Sequence, residues 1–151
     1  MSLKQWVENR WAKEVKPTPS GVQNFLAVAD REIADAGLLE ISIEGRFDHA
    51  YEAVRNLCEV VVYASGYALS RDRKHERAIQ SLKFTLSGRA AEKIDYLDRC
   101  RLLRHKTHYE RADVIQASEA NKLLDTAKWL RDEVQSWLQK EHPNLIEEVG
   151  P

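Results

Sequence analysis

Glycine and proline are scarce in this 151-residue chain, with six and four residues respectively. Because these two residue types form most tight turns, their scarcity predicts few turns and long secondary-structure elements. Cysteine is scarcer still, since Cys58 and Cys100 are the only two. Two cysteines are too few for the disulfide framework of a small secreted domain, and both lie in apolar helical contexts. We therefore expect two reduced thiols that are buried in the core.

The chain also has almost no net charge, −1 at neutral pH, with 23 basic and 24 acidic residues. This balance excludes nucleic-acid binding through an overall positive surface, so any such binding has to come from a local basic patch. The longest apolar run, 60–64, is far shorter than the roughly 20 residues of a membrane helix. The N-terminal segment lacks the apolar core of a signal peptide. We therefore expect a cytoplasmic protein with no membrane association.

Apolar residues make up 43 % of the chain and charged residues 31 %, which is typical of a globular domain. Along most of the sequence the apolar residues recur at intervals of three and four, as they do in amphipathic helices. No alternating pattern is long enough to predict a strand. The pattern predicts helices over 3–16, 20–36, 43–69, a short stretch ending before Ser87, 89–109 and 112–141.

The predicted fold is all-α. A short amphipathic helical arm spans 1–17, an up-and-down bundle of four or five helices spans 18–143, and a tail spans 144–151. The prolines at positions 17 and 19 separate the arm from the bundle, because proline cannot continue a helix. The arm carries Trp6 and Trp11, which either pack on the chain's own core or contact a second subunit.

The segment 97–110 is unusually rich in arginine and histidine. On a helix that advances about 100° per residue, four of these residues fall within about a third of the circumference. They are Arg101, Arg104, His105 and His108. Arginine offers a planar fork to phosphate oxygens, and histidine exchanges a proton near neutral pH. Such a set could support attack of a ribose 2′-hydroxyl on the adjacent phosphate without a metal. The alternative is a solvated basic face near the helix C-terminus, where cations are favourable.

Two other polar residues are candidates for supporting roles. Asp48, near the start of the central helix, either complements the helix dipole or reaches the Arg104 cluster across the bundle, and we expect a structural ion pair. His75 lies in the basic run 71–77, where we expect a surface or helix-start residue. The histidines at 105 and 108 lack a third ligand at zinc spacing. No phosphate loop or dinucleotide fingerprint occurs, so we expect no metal and no cofactor.

Two stretches together resemble the HEPN (higher eukaryotes and prokaryotes nucleotide-binding) superfamily, particularly its small bacterial members. The first is RFDHAYEAVRNL over 46–57, followed by YASGY over 63–67 and by His75. The second is RLLRHKTHYE over 101–110, followed by a long last helix. The resemblance covers roughly residues 20–140. It implies a four- or five-helix bundle that dimerises.

Many members of this superfamily resemble metal-independent endoribonucleases, with an arginine, a polar residue and a histidine four to six residues beyond the arginine at the dimer interface. If Arg104 is that arginine, His105 stands at the polar position and Tyr109 stands where the histidine is common. His108 lies one position earlier, and Arg101 with His108 is a second way to match the spacing. Arg99 with His105 is a third. Tyrosine is a poor base at neutral pH because its pKa is high.

The resemblance thus implies catalytic and phosphate-binding candidates on the late helix. The catalytic candidates are Arg104, His108 and Tyr109. The phosphate-binding candidates are Arg101, Arg104, His105 and Lys106. The supporting candidates are Asp48 and His75.

The leading hypothesis is a HEPN-fold homodimer that binds RNA or another phosphate-bearing nucleic acid in a dimer cleft. It includes weak or degenerate metal-independent endoribonuclease activity of the toxin–antitoxin type, and whether the chain cleaves RNA stays open. The rival is a non-catalytic interaction or regulatory module. It would partner a nucleotidyltransferase through the Trp6 and Trp11 arm, or bind nucleotides.

Overall fold

The computed structural model describes residues 1–109 and 114–146, with the side chains of 107–109 excepted. The described part is mostly helical with one small sheet, as the all-α prediction requires. Its elements in chain order are α1 (Leu3–Glu8), β1 (Ala12–Glu14), α2 (Pro19–Ala36), α3 (Ile43–Ala64), β2 (Tyr67–Leu69), α4 (Lys74–Gln80), α5 (Gly88–Ala91), α6 (Ile94–Tyr109) and α7 (Ala117–Glu141), with 3₁₀ turns at Ser81–Lys83 and Pro143–Leu145.

The central helix is α3, which is buried along almost its whole length. Its N-cap is Ser42, whose hydroxyl accepts a hydrogen bond from the Gly45 amide at 3.0 Å. It packs most extensively against α2 and α7, and also contacts α4 and α6. The largest fully buried side chains of the core include Phe47, Tyr51 and Leu57 of this helix. The sequence prediction of a central, most buried helix is confirmed.

The predicted helical arm over 3–16 is wrong beyond its first turns. Helix α1 ends at Glu8, Arg10 has a positive φ of 64°, and the chain continues as β1. Strand β1 pairs antiparallel with β2, with Ala12 opposite Leu69. Since each strand has only three residues, neither contains enough positions for an alternating pattern to be detected.

The arm packs on the chain's own core, which is one of the two readings of its tryptophans. Trp6 is buried and its ring meets those of Trp11 and Phe84 edge-on, with centroids 5.9 and 5.3 Å apart. The Arg77 guanidinium lies 4.2 Å from the centroid of the Trp11 ring. The exposed tryptophan surface that a second subunit would need is therefore largely covered within one chain.

Three predicted helix bounds differ from the structure. The central helix ends at Ala64 rather than at 69, because Gly66 turns the chain at a φ of 99° into β2. The predicted helix 89–109 is two helices, α5 and α6. The last helix begins at Ala117 after an extended Gln116, and the predicted start at 112 lies outside the described residues.

The two cysteines are free and buried, as predicted. Within residues 1–109 and 114–146, no helix combines the length and the apolar character that crossing a bilayer requires.

Candidate functional site

A stripe of charged side chains runs along one side of α3. It consists of Asp48, Glu52, Arg55 and Glu59, which are spaced four, three and four residues apart. Helical geometry places such residues one above the other. Arg55 bonds Glu52 through Nη2 at 2.7 Å and also forms an ion pair with Glu59. The side chain of Glu59 is only 8 % exposed and accepts a second cation, Lys74 of α4, at 3.1 Å.

Arg104 of α6 lies on the first half of this stripe. Its Nε donates to Asp48 Oδ1 at 2.5 Å, and its Nη2 donates to Glu52 Oε1 at 3.1 Å. The guanidinium carbon is 5.0 Å from the centroid of the Tyr51 ring. Two carboxylates and an aromatic face therefore fix the orientation of this guanidinium, which keeps 23 % of its side chain exposed.

His75 of α4, a third helix, also lies near the Tyr51 ring. Its ring centroid is 6.0 Å from that of Tyr51, and the side chain is half-buried. Burial, and then the positive charges of Arg55 and Arg104, lower the pKa of His75 below its usual value, against the opposing charge of Glu52. The imidazole is therefore predominantly neutral at neutral pH.

Tyr51 lies beneath these groups and is only 1 % exposed. Its hydroxyl has no hydrogen-bond partner among the described residues. Burial raises the pKa of this hydroxyl well above its usual range, although Arg104 lowers it in part. The phenol therefore stays protonated, and an unpaired buried hydroxyl of this kind is uncommon in native proteins.

The structure thus brings three of the sequence-predicted residues together, namely Arg104, Asp48 and His75. Arg101 instead pairs within its own helix, from Nε to Asp98 Oδ1 at 2.8 Å. His105 and Lys106 are exposed on α6. The predicted side chains of His108 and Tyr109 lie outside the described residues.

The sequence reasoning missed Tyr51, Glu52, Arg55 and Glu59. The charged members could have been found from their helical spacing, because an acid–acid–base–acid series at intervals of four and three residues is a signal of side-chain pairing. Tyr51 could not, since an aromatic residue on an apolar helix face predicts only core packing.

On another side of α6 lies a cavity of about 450 Å³, a size that suits a small ligand. Its walls combine apolar side chains with basic ones. They are Phe47, Tyr96, Arg99, Cys100, Leu102, Leu103, Lys106, Glu119 and Lys122. The Lys122 ammonium is 4.4 Å from the centroid of the Tyr96 ring. Burial raises the pKa of Cys100 to about 11, so this wall carries a neutral thiol.

A third group of polar side chains lies where α2 meets α3. It consists of Glu32, Asp35 and His49, whose nearest ligand-type atoms all lie within 4.8 Å of one another. These are the described residues that could hold a metal ion.

Comparisons of the chain with protein-family models, curated proteins and solved structures find no match. The HEPN resemblance therefore stays a prediction from the sequence.

Proposed function

We propose that this chain is an RNA-binding helical-bundle protein of HEPN type, which dimerises and binds the phosphate backbone with the basic side of α6. The residues that would contact phosphate are Arg101, Arg104 and His105, whereas Lys106, the fourth predicted phosphate-binding residue, borders the cavity on another side of α6. One observation carries the proposal, the fixed guanidinium of Arg104 between Asp48 and Glu52. A side chain already ordered in the free protein loses less entropy when it binds a ligand.

The two carboxylates both position Arg104 and compete with phosphate for it. A guanidinium has five N–H donors, and the bonds to Asp48 and Glu52 use two of them. Since 23 % of the Arg104 side chain is exposed, we expect phosphate to reach the remaining donors without displacing the carboxylates.

Cleavage would be a slow secondary activity of this site. The 2′-hydroxyl oxygen would attack the adjacent phosphorus while a base takes its proton. The P–O5′ bond would then break, and the departing oxygen would gain a proton, which leaves a 2′,3′-cyclic phosphate and a 5′-hydroxyl. The neutral imidazole of His75 has the protonation state that such a base requires. Arg104 would offset the charge that develops on the phosphorane oxygens.

Fluorescence anisotropy with a labelled single-stranded RNA tests binding. Arg104→Ala should weaken the affinity by about tenfold or more, since hydrogen bonds to charged groups contribute about 1.5–3 kcal/mol. It should also reduce the slope of log K against log salt by about one. Arg31→Ala is the matched control, because it removes one positive charge from a side chain that is 65 % exposed on α2.

Arg104→Lys separates charge from geometry, since lysine keeps the charge but lacks the planar fork. We expect it to bind RNA more weakly than the unmodified chain. Chelator should leave any cleavage unchanged. If folded Arg104→Ala matches the Arg31→Ala control in affinity and salt slope, RNA binding at this site is wrong.

A second candidate function, binding of a free nucleotide, is favoured by the cavity beside α6. Its apolar walls suit a base, and Arg99, Lys106 and Lys122 at its border suit a phosphate. A ligand that binds only the folded state raises the melting temperature. A thermal shift caused by nucleoside phosphates, and abolished by Lys122→Glu, would favour this function over RNA binding.

A further inference from the structure

The group formed by Glu32, Asp35 and His49 joins two helices. Glu32 and Asp35 lie one turn apart near the C-terminal end of α2, and His49 lies in the second turn of α3. His49 Nδ1 is 2.6 Å from Glu32 Oε2, and the side chain of Glu32 is only 13 % exposed. All three residues are partly buried, so water screens their charges less than it would on an open surface.

The electrostatics of this place favour a cation. The C-terminal end of a helix carries partial negative charge, so carboxylates are unfavourable there and cations are favourable. Helix α2 has two carboxylates at this end and no basic residue in its last turn. The neighbouring Arg31 pairs with Glu32 at 3.2 Å, but its side chain is 65 % exposed, and exposed pairs contribute little.

A second nearby arginine is directed at other groups. Arg46 donates from Nε to the Ala36 carbonyl and from Nη2 to Asn121 Oδ1, both at 2.8 Å. In the described part of the chain it forms no ion pair with Glu32 or Asp35. Arg46 therefore complements the carbonyl end of α2, whereas among the described residues the Glu32 carboxylate pairs with the exposed Arg31 and with the His49 ring.

We propose that Glu32, Asp35 and His49 bind one divalent transition-metal ion of the Zn²⁺ class. Imidazole favours such ions over Mg²⁺ and Ca²⁺, and carboxylate oxygens complete the set. Tetrahedral Zn²⁺ with bonds of about 2.0–2.2 Å holds neighbouring ligand atoms a little over ~3 Å apart. The 2.6 Å between His49 Nδ1 and Glu32 Oε2 would have to widen to that value, and the longer separations, which are at most 4.8 Å, would have to close. Water would occupy the fourth position.

The ion would fasten the end of α2 to the start of α3, next to Asp48 and its bond to Arg104. It would have no part in the proposed RNA chemistry, so the two proposals stand or fall separately. Sequence spacing could not indicate the site, because His49 lies 14 and 17 positions after the two carboxylates.

Isothermal titration of the chelator-treated full chain with Zn²⁺ tests the proposal. We expect one equivalent to bind, His49→Gln to weaken binding by about 100-fold, and Asp35→Asn to weaken it by at least about tenfold, since even outer ligands matter by 10–100-fold. His75→Gln is the matched control, because it removes a half-buried histidine from another cluster. It should bind Zn²⁺ as the unmodified chain does.

His105→Gln tests whether an exposed histidine of α6 binds the ion instead. The proposal is wrong if His49→Gln titrates like the unmodified chain, or if the loss follows His105→Gln. It is also wrong if no saturable equivalent binds. If circular dichroism shows that His49→Gln does not fold, two other measurements test the proposal. They are the Zn²⁺ affinity of Asp35→Asn and the NMR signals of the His49 ring in the unmodified chain. Those ring signals have to shift and saturate at one equivalent.

Discussion

Removing the Arg104 side chain should lower the free energy of unfolding by about 2–3 kcal/mol. The substitution leaves Asp48 and Glu52 without this partner. An exposed ion pair contributes about 0.2–1 kcal/mol, whereas breaking a buried one costs about 3–5 kcal/mol. The three side chains are 22–34 % exposed, so about 1 kcal/mol for each pair is the appropriate intermediate value. The contact of the guanidinium with the Tyr51 ring adds about 0.5–1 kcal/mol.

Urea denaturation followed by circular dichroism measures this loss. In a thermal melt, the melting temperature of Arg104→Ala should be lower by roughly 5–10 °C, since 1 kcal/mol corresponds to about 2–4 °C in a domain of this size. Arg101→Ala is the comparison, because among the described residues Arg101 pairs with Asp98 one turn away, and such pairs contribute about 0.2–0.5 kcal/mol. If both variants lose the same small amount, Arg104 is not held as the structure indicates. A double-mutant cycle with Asp48→Ala should then also give no coupling energy.

Three further outcomes are expected. Because its folded-state pKa is depressed, His75 takes up a proton more readily when unfolded. The chain should therefore lose stability as the pH falls below the unfolded value of about 6.5, and His75→Gln should flatten this dependence in urea titrations at several pH values. Gly21→Ala should cost about 1–3 kcal/mol, because its Cβ would overlap the Tyr63 ring. Gly37→Ala should be nearly neutral in thermal melts, because its Cβ would make an ordinary van der Waals contact with the Ala34 carbonyl oxygen at 3.5 Å. Burial raises the pKa of both cysteine thiols, so a thiol reagent should label them in urea but only slowly in the native protein.

The long helices were predictable from the sequence because their apolar spacing extends over many turns. The spacing of three and four residues identified α3 as the central helix, and the turn residues Gly37 and Pro143 ended α2 and α7 close to where the structure ends them. The two strands were not predictable. Each is short and forms only because the α1 segment folds back onto the end of α3, a tertiary contact that leaves no local pattern.

The candidate site was predictable in part, for the same physical reason. A helix of known phase places Arg101, Arg104 and His105 on neighbouring positions, so the basic side of α6 follows from spacing alone. Which carboxylate meets which arginine depends on the rotation of α6 against α3. Arg104 reaches 56 residues back to Asp48, whereas Arg101 turns to Asp98 in its own helix. Spacing within one helix contains no information about that choice.

The rotation of α6 against α3 determines which side chains surround Arg104. The apolar sides of α3 pack against α2 and α7, and the charged stripe is the side that meets α4 and α6. Ion pairs contribute less free energy than apolar packing does, but they are directional, so they fix the angle at which α6 lies. A phosphate bound at Arg104 would therefore meet a guanidinium whose direction the α3 carboxylates set. Neutralising those carboxylates would raise the local positive charge and at the same time release the side chain. We therefore expect variants with neutralised carboxylates to bind RNA more tightly but to discriminate less between phosphate positions. A solvated basic face, whose arginine no carboxylate orients, would not show this combination.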